Sequence, residues 1–202
     1  MSSLAQALAH PLIARVTAAL ASRPGRLAET DGDPRRAAVV ALLRVTPEGT
    51  VEILLIERAV HEGDPWSGHV ALPGGRHDPS DATLQDTATR EVLEETAIDV
   101  VTHGTILGTL DELRPRTPVL PPIIVTPFVA VVRGDVSIGP SDEVADAFWV
   151  PWSMVVDPSV SRESTVRARG TEWTVPSYVI GRHVVWGMTE RILRNLSEIM
   201  RE

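Results

Sequence analysis

The chain has 202 residues, of which 43% are apolar, and this is enough to bury one sizeable core. Its formal net charge of −8 argues against a protein that coats nucleic acid, because such proteins normally present a basic surface. It contains no cysteine, which excludes disulfides, thiolate metal sites and cysteine nucleophiles and fits a reducing compartment.

The N-terminal segment predicts an amphipathic helix rather than a secretory signal. Its larger apolar residues recur every four positions: Leu4, Leu8, Leu12, Val16 and Leu20. No basic residue precedes Arg15, whereas a signal peptide normally begins with one. His10-Pro11 either divides this helix or starts a second one. Because no apolar run approaches the ~20 residues that a membrane span needs, we expect no membrane partner and a cytoplasmic protein.

After a linker rich in turn formers over residues 22–36, the sequence predicts strands around one central helix. Strands are expected at 37–45, 51–58, near Val70, and at 104–113, 123–133 and 147–151, with a hairpin at 164–180. The helices are expected at 83–96 and at the C-terminus, where Met188, Ile192, Leu196 and Ile199 have helical spacing. This order predicts a mixed α/β sandwich, divided into an N-terminal helix and linker (residues 1–34) and a main domain (residues 35–202).

The stretch LPGGRHDPSDATLQDTATREVLEETAIDV (residues 72–100) carries three glutamates on one face of the central helix. On a helix of ~3.6 residues per turn, Glu91, Glu94 and Glu95 lie close enough to repel one another. One interpretation is a solvated acidic face, the commoner reason for such clusters. The other is a site for Mg²⁺ or Mn²⁺, which prefer hard oxygen ligands, and the Gly-Gly turn just before the helix favours it.

Neighbouring residues complete the prediction for this helix. Asp81 or Ser80 is expected to cap its N-terminus by accepting hydrogen bonds from free backbone N–H groups. Asp86 with Arg90, and Arg90 with Glu94, are i,i+4 pairs that contribute about 0.2–0.5 kcal/mol each. These pairs offset only part of the glutamate repulsion. A separate apolar side of the helix can pack on a sheet: Leu84, Ala88, Val92 and Leu93.

The same stretch resembles the Nudix box, whose pattern is G-x5-E-x7-REUxEE-x-GU, with U a bulky aliphatic residue. Gly75 matches the first glycine, and the later positions match in order: Arg90, Glu91, Val92, Glu94, Glu95 and Ile98. Asp81 replaces the loop glutamate, and eight residues instead of seven separate it from Arg90. Ala97 replaces the last glycine, and a left-handed alanine costs roughly 1 kcal/mol. Either the helix ends differently here or that strain is tolerated.

The first two departures are similar to the coenzyme A pyrophosphatase branch of the family, in which GG[KR]xDPxD precedes an eight-residue gap. That branch also carries LLTxR followed by FPGG, which Leu54, Leu55, Arg58, Gly68 and residues 73–75 resemble. Ile56 and Leu72 replace its threonine and phenylalanine. The segment VVWGMTERIL is similar to the branch's WGxTAxIL helix start, with Glu190 in place of alanine.

The resemblance implies a Nudix-type α/β/α sandwich with a mixed sheet. It also implies a hydrolase that directs water at one phosphorus of a nucleoside diphosphate linked to another group, with Mg²⁺ or Mn²⁺ as cofactor. Arg90, Glu91, Glu94 and Glu95 are then the catalytic residues, with the three glutamates as metal ligands and the Gly75 turn as a further ligand through a backbone carbonyl. Arg90 is expected to hold a glutamate in place rather than contact substrate.

The resemblance leaves the remaining roles open. Arg58, Trp66 and Arg76 are the candidate substrate-binding residues, although Arg58 could instead form a surface ion pair and Trp66 could belong to the core. Glu143 is a candidate general base and equally a solvated turn residue. Three arginines near the predicted hairpin could contact the 3′-phosphate of coenzyme A or simply form an exposed basic surface: Arg162, Arg167 and Arg169.

The resemblance is compatible with three functions. The first is hydrolysis of coenzyme A or its thioesters to 3′,5′-ADP and a phosphopantetheine product. The second is hydrolysis of ADP-ribose or another nucleoside diphosphate derivative. The third is a domain that senses a nucleotide without turnover, against which the intact REVLEE cluster argues. The expected partner is a small nucleotide diphosphate and not nucleic acid, and the resemblance makes a homodimer an open possibility.

Overall fold

The computed structural model describes residues 3–60, 67–115, 122–139, 141–168 and 171–201. The helices are α1 (Leu4–Ala9), α2 (Pro11–Ser22), α3 (Leu84–Thr96), α4 (Val100–His103), α5 (Trp152–Val155) and α6 (Gly187–Arg201). The strands are β1 (Arg35–Val45), β2 (Val51–Arg58), β3 (Val70–Ala71), β4 (Gly74–Arg76), β5 (Gly104–Thr109), β6 (Ile123–Val132), β7 (Val144–Pro151), β8 (Ser161–Ala168), β9 (Thr171–Ile180) and β10 (His183–Trp186). A short 3₁₀ helix spans Pro158–Val160.

The main sheet has the strand order β3-β2-β1-β6-β5, with β4 paired to β1 and β7 paired to β2. The central strands β1 and β6 run parallel over ten residue pairs, and the other pairings are antiparallel. Both central strands are almost continuously buried, as expected for strands covered on both faces. The predicted mixed sheet is therefore confirmed. The predicted hairpin also forms, but its strands β8 and β9 belong with β10 to a separate three-stranded sheet.

Alternating residues of the central strands enter two different cores. Ala41 and Leu43 of β1 belong to a large cluster that includes residues of α1, α2, α6 and the small sheet. Val40 and Leu42 belong to a second cluster, which includes Ala88 and Val92 of α3. The period of two along β1 thus places layers on both faces of the sheet, which confirms the predicted α/β/α sandwich.

The N-terminal segment forms two helices, because His10 ends α1 and its ring nitrogen caps α2 by accepting from the Leu12 N–H. Pro11 stands at the first position of α2, where its missing N–H is not needed. The linker that follows is fastened to the main domain by the paired hydrogen bonds of Arg26 to Asp111, at 2.9 and 2.6 Å. In the described part of the chain, no helix is long and apolar enough to cross a membrane.

The central helix begins and ends with well-defined caps. Thr83 is the N-cap and shares a capping box with Asp86, so the expectation of Asp81 or Ser80 as cap is wrong. Of the two predicted i,i+4 pairs of Arg90, the one with Glu94 forms at 2.8 Å. Asp86, the other predicted partner, accepts hydrogen bonds from Thr83 at the N-cap. At the other end Ala97 adopts the left-handed conformation, with φ 59°. Ala97 therefore adopts the left-handed backbone conformation that glycine usually provides at the end of a helix, and the fold tolerates the resulting strain.

Ala97→Gly is expected to raise the free energy of unfolding by about 0.5–1 kcal/mol, because relief of the left-handed strain exceeds the entropy cost of glycine. Ala18→Gly, at an exposed position inside α2, is the matched control and should lower it by about 1 kcal/mol. Chemical denaturation followed by circular dichroism measures both. Equal destabilisation by the two substitutions would show that Ala97 carries no relievable strain.

Candidate active site

A glycine turn brings backbone against the carboxylates of α3. Strand β4 pairs with β1, and the Gly74 N–H donates to Glu95 Oε2 at 2.8 Å. Gly74 has φ 147°, and a Cβ there would lie 2.3 Å from the Ala38 carbonyl oxygen. A Cβ on Gly75 would lie 2.4 Å from the Glu91 carboxylate. Gly74 must therefore be glycine for the turn to approach the helix this closely, whereas a side chain at position 75 would displace the Glu91 carboxylate.

The Arg90 guanidinium organises the acidic residues around it. Its Nε and Nη2 donate to the two carboxylate oxygens of Asp81, each at 3.0 Å. Its Nη1 donates to Glu91 at 3.0 Å and to Glu94 at 2.8 Å. Nη2 also donates to the Arg76 carbonyl oxygen at 3.3 Å. These protein groups engage all three nitrogens, so Arg90 holds Glu91 and Glu94 by hydrogen bonds. That it positions glutamates rather than contacting substrate stays a prediction.

Asp81 joins the loop before α3 to the helix itself. Besides Arg90, its carboxylate accepts from the Thr87 hydroxyl at 2.8 Å and from the Asp78 N–H at 3.1 Å. These hydrogen bonds hold the pKa of Asp81 well below its usual range, and the hydrogen bond from Arg90 has the largest effect. Asp81 is thus an ionised anchor for Arg90. The acidic position in the box pattern marked this residue in the sequence, but helix-capping rules suggested a different role for it.

Two of the three helix glutamates are removed from bulk water. Glu95 is 1% exposed, and burial raises its pKa to about 7, although the Gly74 N–H opposes the shift. Arg58 Nη1 lies 3.8 Å from Glu95 Oε1 and also opposes it. Burial likewise raises the pKa of Glu91, against the influence of Arg90. This burial argues against the interpretation of a simple solvated acidic face.

Two more carboxylates complete the acidic cluster from the solvent side. The Glu94 side chain is 55% exposed even though it pairs with Arg90. Glu143 is exposed, and its charge raises the pKa of both Glu91 and Glu95, so its carboxylate lies near them. The loop that carries it is attached to the end of β2 by the Ala59 N–H, which donates to the Glu143 carbonyl oxygen at 2.9 Å.

The charges of this group are unbalanced. Its members are Asp81, Glu91, Glu94, Glu95 and Glu143 on the acidic side, and Arg58 and Arg90 on the basic side. Asp81 is fully engaged by Arg90, so the other carboxylates retain a negative excess next to an exposed edge. Carboxylate oxygens are ligands that Mg²⁺ and Mn²⁺ prefer, and these ions keep part of their hydration shell. The residues present therefore suit the cofactor that the sequence implies.

The remaining predicted residues fall at different places. Arg58 ends β2 beside Glu95, and Arg76 is an exposed residue that follows Gly75 directly. Trp66 lies outside the described residues. Of the hairpin arginines, Arg162 and Arg167 are exposed on β8, and Arg169 lies outside the described residues.

A second polar cluster was not predicted from the sequence. Potential ligand atoms of Glu57, Asp146 and His183 all lie within 4.8 Å of one another. Arg182 lies among them, 2.9 Å from an Asp146 oxygen and 3.7 Å from a Glu57 oxygen. Arg182 offsets one of the two carboxylate charges of this cluster, as Arg90 does for the glutamates of α3. Its members are so far apart along the chain that no spacing rule could have found them.

Comparison with known proteins gives a domain match and a similar relative. A family model for the NUDIX domain matches residues 34–171. An uncharacterized Nudix hydrolase NudL from Yersinia pestis is 34% identical over 166 residues, covering 81% of this chain and 79% of the relative.

Among solved structures, a MutT/nudix family protein from Enterococcus faecalis superposes with a TM-score of 0.57 at 18% identity. The match covers 87% of this chain and 65% of that one. A Nudix hydrolase from M. smegmatis, RenU, has a TM-score of 0.51 at 25% identity, over 61% of this chain and 74% of the other. These structural similarities support the fold.

Asp81→Asn is expected to loosen Arg90, and so to lower kcat for diphosphate hydrolysis about 10–100-fold, as is usual for residues that orient ligands. It should also lower the midpoint of chemical denaturation. Because the pKa of Asp81 is depressed in the folded protein, its stabilising effect is complete above the ordinary aspartate pKa of about 4 and is lost as the pH falls through the depressed value.

Chemical denaturation of the wild type and of Asp81→Asn, from neutral to acidic pH, measures the difference between their free energies of unfolding. This difference should shrink as the pH is lowered. Asp81→Glu, which restores the residue of the family pattern, is the control and should retain more activity than the asparagine variant. An Asn variant with wild-type kcat would contradict the anchoring role of Asp81.

Proposed function

The chain belongs to the Nudix hydrolase family, and from that membership we propose that it hydrolyses the diphosphate of coenzyme A or its thioesters with the help of Mg²⁺ or Mn²⁺. The products are 3′,5′-ADP and a phosphopantetheine derivative. A nucleotide diphosphate also suits the negative excess of the site, because divalent cations can bridge the two groups of anions.

The observation that carries the proposed diphosphate hydrolysis is the contact between Arg58 and Glu95, and the choice of coenzyme A rests on the sequence resemblance of this segment. Arg58 belongs to the segment that resembles the signature of the coenzyme A branch, and it lies 3.8 Å from the buried carboxylate. The same signature continues through Gly74 and Gly75, which touch Glu95 and Glu91. The residues that resemble this branch are thus grouped around the carboxylates. An arginine at this edge is also suited to a phosphate oxygen.

The metal-holding residues in this proposal are Glu91, Glu94 and Glu95, with the backbone carbonyl of Gly75 as a further ligand. When bound, the divalent ions neutralise phosphate oxygens and make the attacking water more acidic. The chain itself keeps the ligands in place. Arg90 holds Glu91 and Glu94 through hydrogen bonds of 3.0 and 2.8 Å, and the Gly74 N–H orients Glu95.

Glu143 is the proposed general base. It is exposed and close enough to influence Glu91 and Glu95, so it can face a water molecule at the edge of the acidic cluster. In this step the water oxygen forms a bond to one phosphorus, and the bond from that phosphorus to the bridging oxygen breaks. The water proton passes to the Glu143 carboxylate, and the second phosphate leaves with the bridging oxygen.

Hydrolysis of ADP-ribose or another nucleoside diphosphate derivative requires the same residues and is the second candidate. It differs from the first only in the groups at the two ends of the diphosphate. A sensor without turnover is less consistent with the site, since binding alone needs no set of mutually repelling carboxylates. The proposed location in the cytoplasm follows from the sequence composition alone.

A substrate panel with product identification tests the proposal. Coenzyme A, acetyl coenzyme A, ADP-ribose and diadenosine polyphosphates are incubated with Mg²⁺ or Mn²⁺, and products are separated by chromatography. We expect 3′,5′-ADP from coenzyme A, and loss of at least about 100-fold in kcat for Glu95→Gln and Glu94→Gln. Exclusive cleavage of ADP-ribose would reject coenzyme A as substrate. Full turnover by folded Glu95→Gln would reject the site.

Glu143→Gln is expected to lower kcat by about 10²–10⁴-fold while leaving KM nearly unchanged, because it removes a proton acceptor but not a binding charge pair. Asp142→Asn changes the neighbouring exposed acid and is the matched control, for which kcat should stay within about threefold of wild type. Equal losses in both variants would indicate that only the general negative charge of this loop matters and that the base lies elsewhere.

A further inference from the structure

Within the described part of the chain, strand β8 ends the small sheet and has one edge without a paired strand. The strand order is β10-β9-β8, and within the described residues β8 pairs with β9 alone. It is eight residues long and pairs with β9 without a break from Ser161–Tyr178 to Ala168–Thr171. An edge of this kind exposes a row of backbone N–H and C=O groups that can pair with another strand.

Strand β8 carries only part of the usual protection of an edge strand. Proteins block such edges with proline, with bulges or with charged side chains. The sequence of β8 has no proline, and its uninterrupted register shows no bulge. Its charges have both signs, Arg162, Glu163 and Arg167, and all three side chains are exposed. Mixed charges repel a second strand only in some registers and attract it in others.

From this pattern we propose that β8 pairs antiparallel with β8 of a second copy of the chain, about a twofold axis at Thr165. In that register Glu163 lies opposite Arg167 of the partner subunit. The twofold axis repeats the contact, so Arg167 lies opposite Glu163 of the partner subunit. Directly opposite side chains in an antiparallel pair lie ~5 Å apart, which suits an ion pair. The surface does not depend on the proposed catalytic function.

The alternative registers do not match these charges. Centring the axis on Ser164 places Glu163 opposite Thr165 of the partner, and centring it on Val166 places Arg167 opposite Thr165 of the partner. Registers centred between two residues would oppose side chains from different faces of the sheet. The axis at Thr165 is therefore the register in which charged residues inside β8 meet opposite charges.

The other face of the hairpin adds an apolar contact. Val166 pairs with Trp173 of β9, and Trp173 is 55% exposed, an unusual exposure for so large a side chain. In the proposed register Val166 lies opposite Ser164 of the partner subunit. The partner's strand then covers the outer side of Val166 and approaches Trp173. One strand pair buries little area, so we expect dissociation in the micromolar range.

Charge reversal tests the proposed register, with the full chain studied by sedimentation velocity over a range of concentrations. Wild type should form a dimer. Glu163→Arg and Arg167→Glu should each weaken it by at least about tenfold, because each places like charges opposite one another twice. The double variant exchanges the two charges and restores both pairs, so it should recover to within about threefold of wild type.

Arg162→Glu is the matched control. It makes the same change of charge as Arg167→Glu on the same strand, but in the proposed register Arg162 lies opposite Ala168 of the partner subunit. Its dissociation constant should stay within about threefold of wild type. A monomeric wild type, a dimer unaffected by the single reversals, or a double variant as weak as either single variant would each overturn the proposal.

Discussion

The site depends on keeping several carboxylates close together although they repel one another. Arg90 makes this possible with one guanidinium group, which binds Asp81 through two nitrogens and also reaches Glu91 and Glu94. Asp81 is ionised and anchored by further hydrogen bonds, so it fixes the orientation of Arg90. Arg90 neutralises one unit of charge but contacts three carboxylates. The remaining excess is what a divalent cation would compensate.

The main sheet positions the glycine turn against the carboxylates of α3. Strand β4 is held by its pairing with β1, and the two glycines allow its backbone to touch Glu95 and Glu91. Burial of α3 against β1 and β6 places Glu95 where water is largely excluded, which raises its pKa to about 7. Packing, backbone hydrogen bonding and electrostatics thus act on the same carboxylate. A larger residue at Gly74 or Gly75 would disturb all three.

Much of this could be predicted because the signals are local. The apolar run of β1, the helical spacing of α3 and the position of Gly75 before it all follow from residues near one another in the chain. The cap at Thr83 was missed because Asp81 and Ser80 are also good capping residues, and only the structure shows that Asp81 is engaged by Arg90. The cluster around Arg182 depends on contacts between distant strands, which no local pattern records. The left-handed Ala97 shows tertiary packing overriding a backbone preference.

In the proposed site, the unbalanced carboxylates of α3 bind a divalent cation. Titration of the substrate-free protein with Mn²⁺, followed by electron paramagnetic resonance of the free ion, tests it most directly. We expect saturable binding of Mn²⁺ by the wild type and an affinity at least about tenfold weaker in Glu91→Gln. Wild-type protein that binds no Mn²⁺ and yet hydrolyses its substrate fully in the presence of a chelator would contradict it.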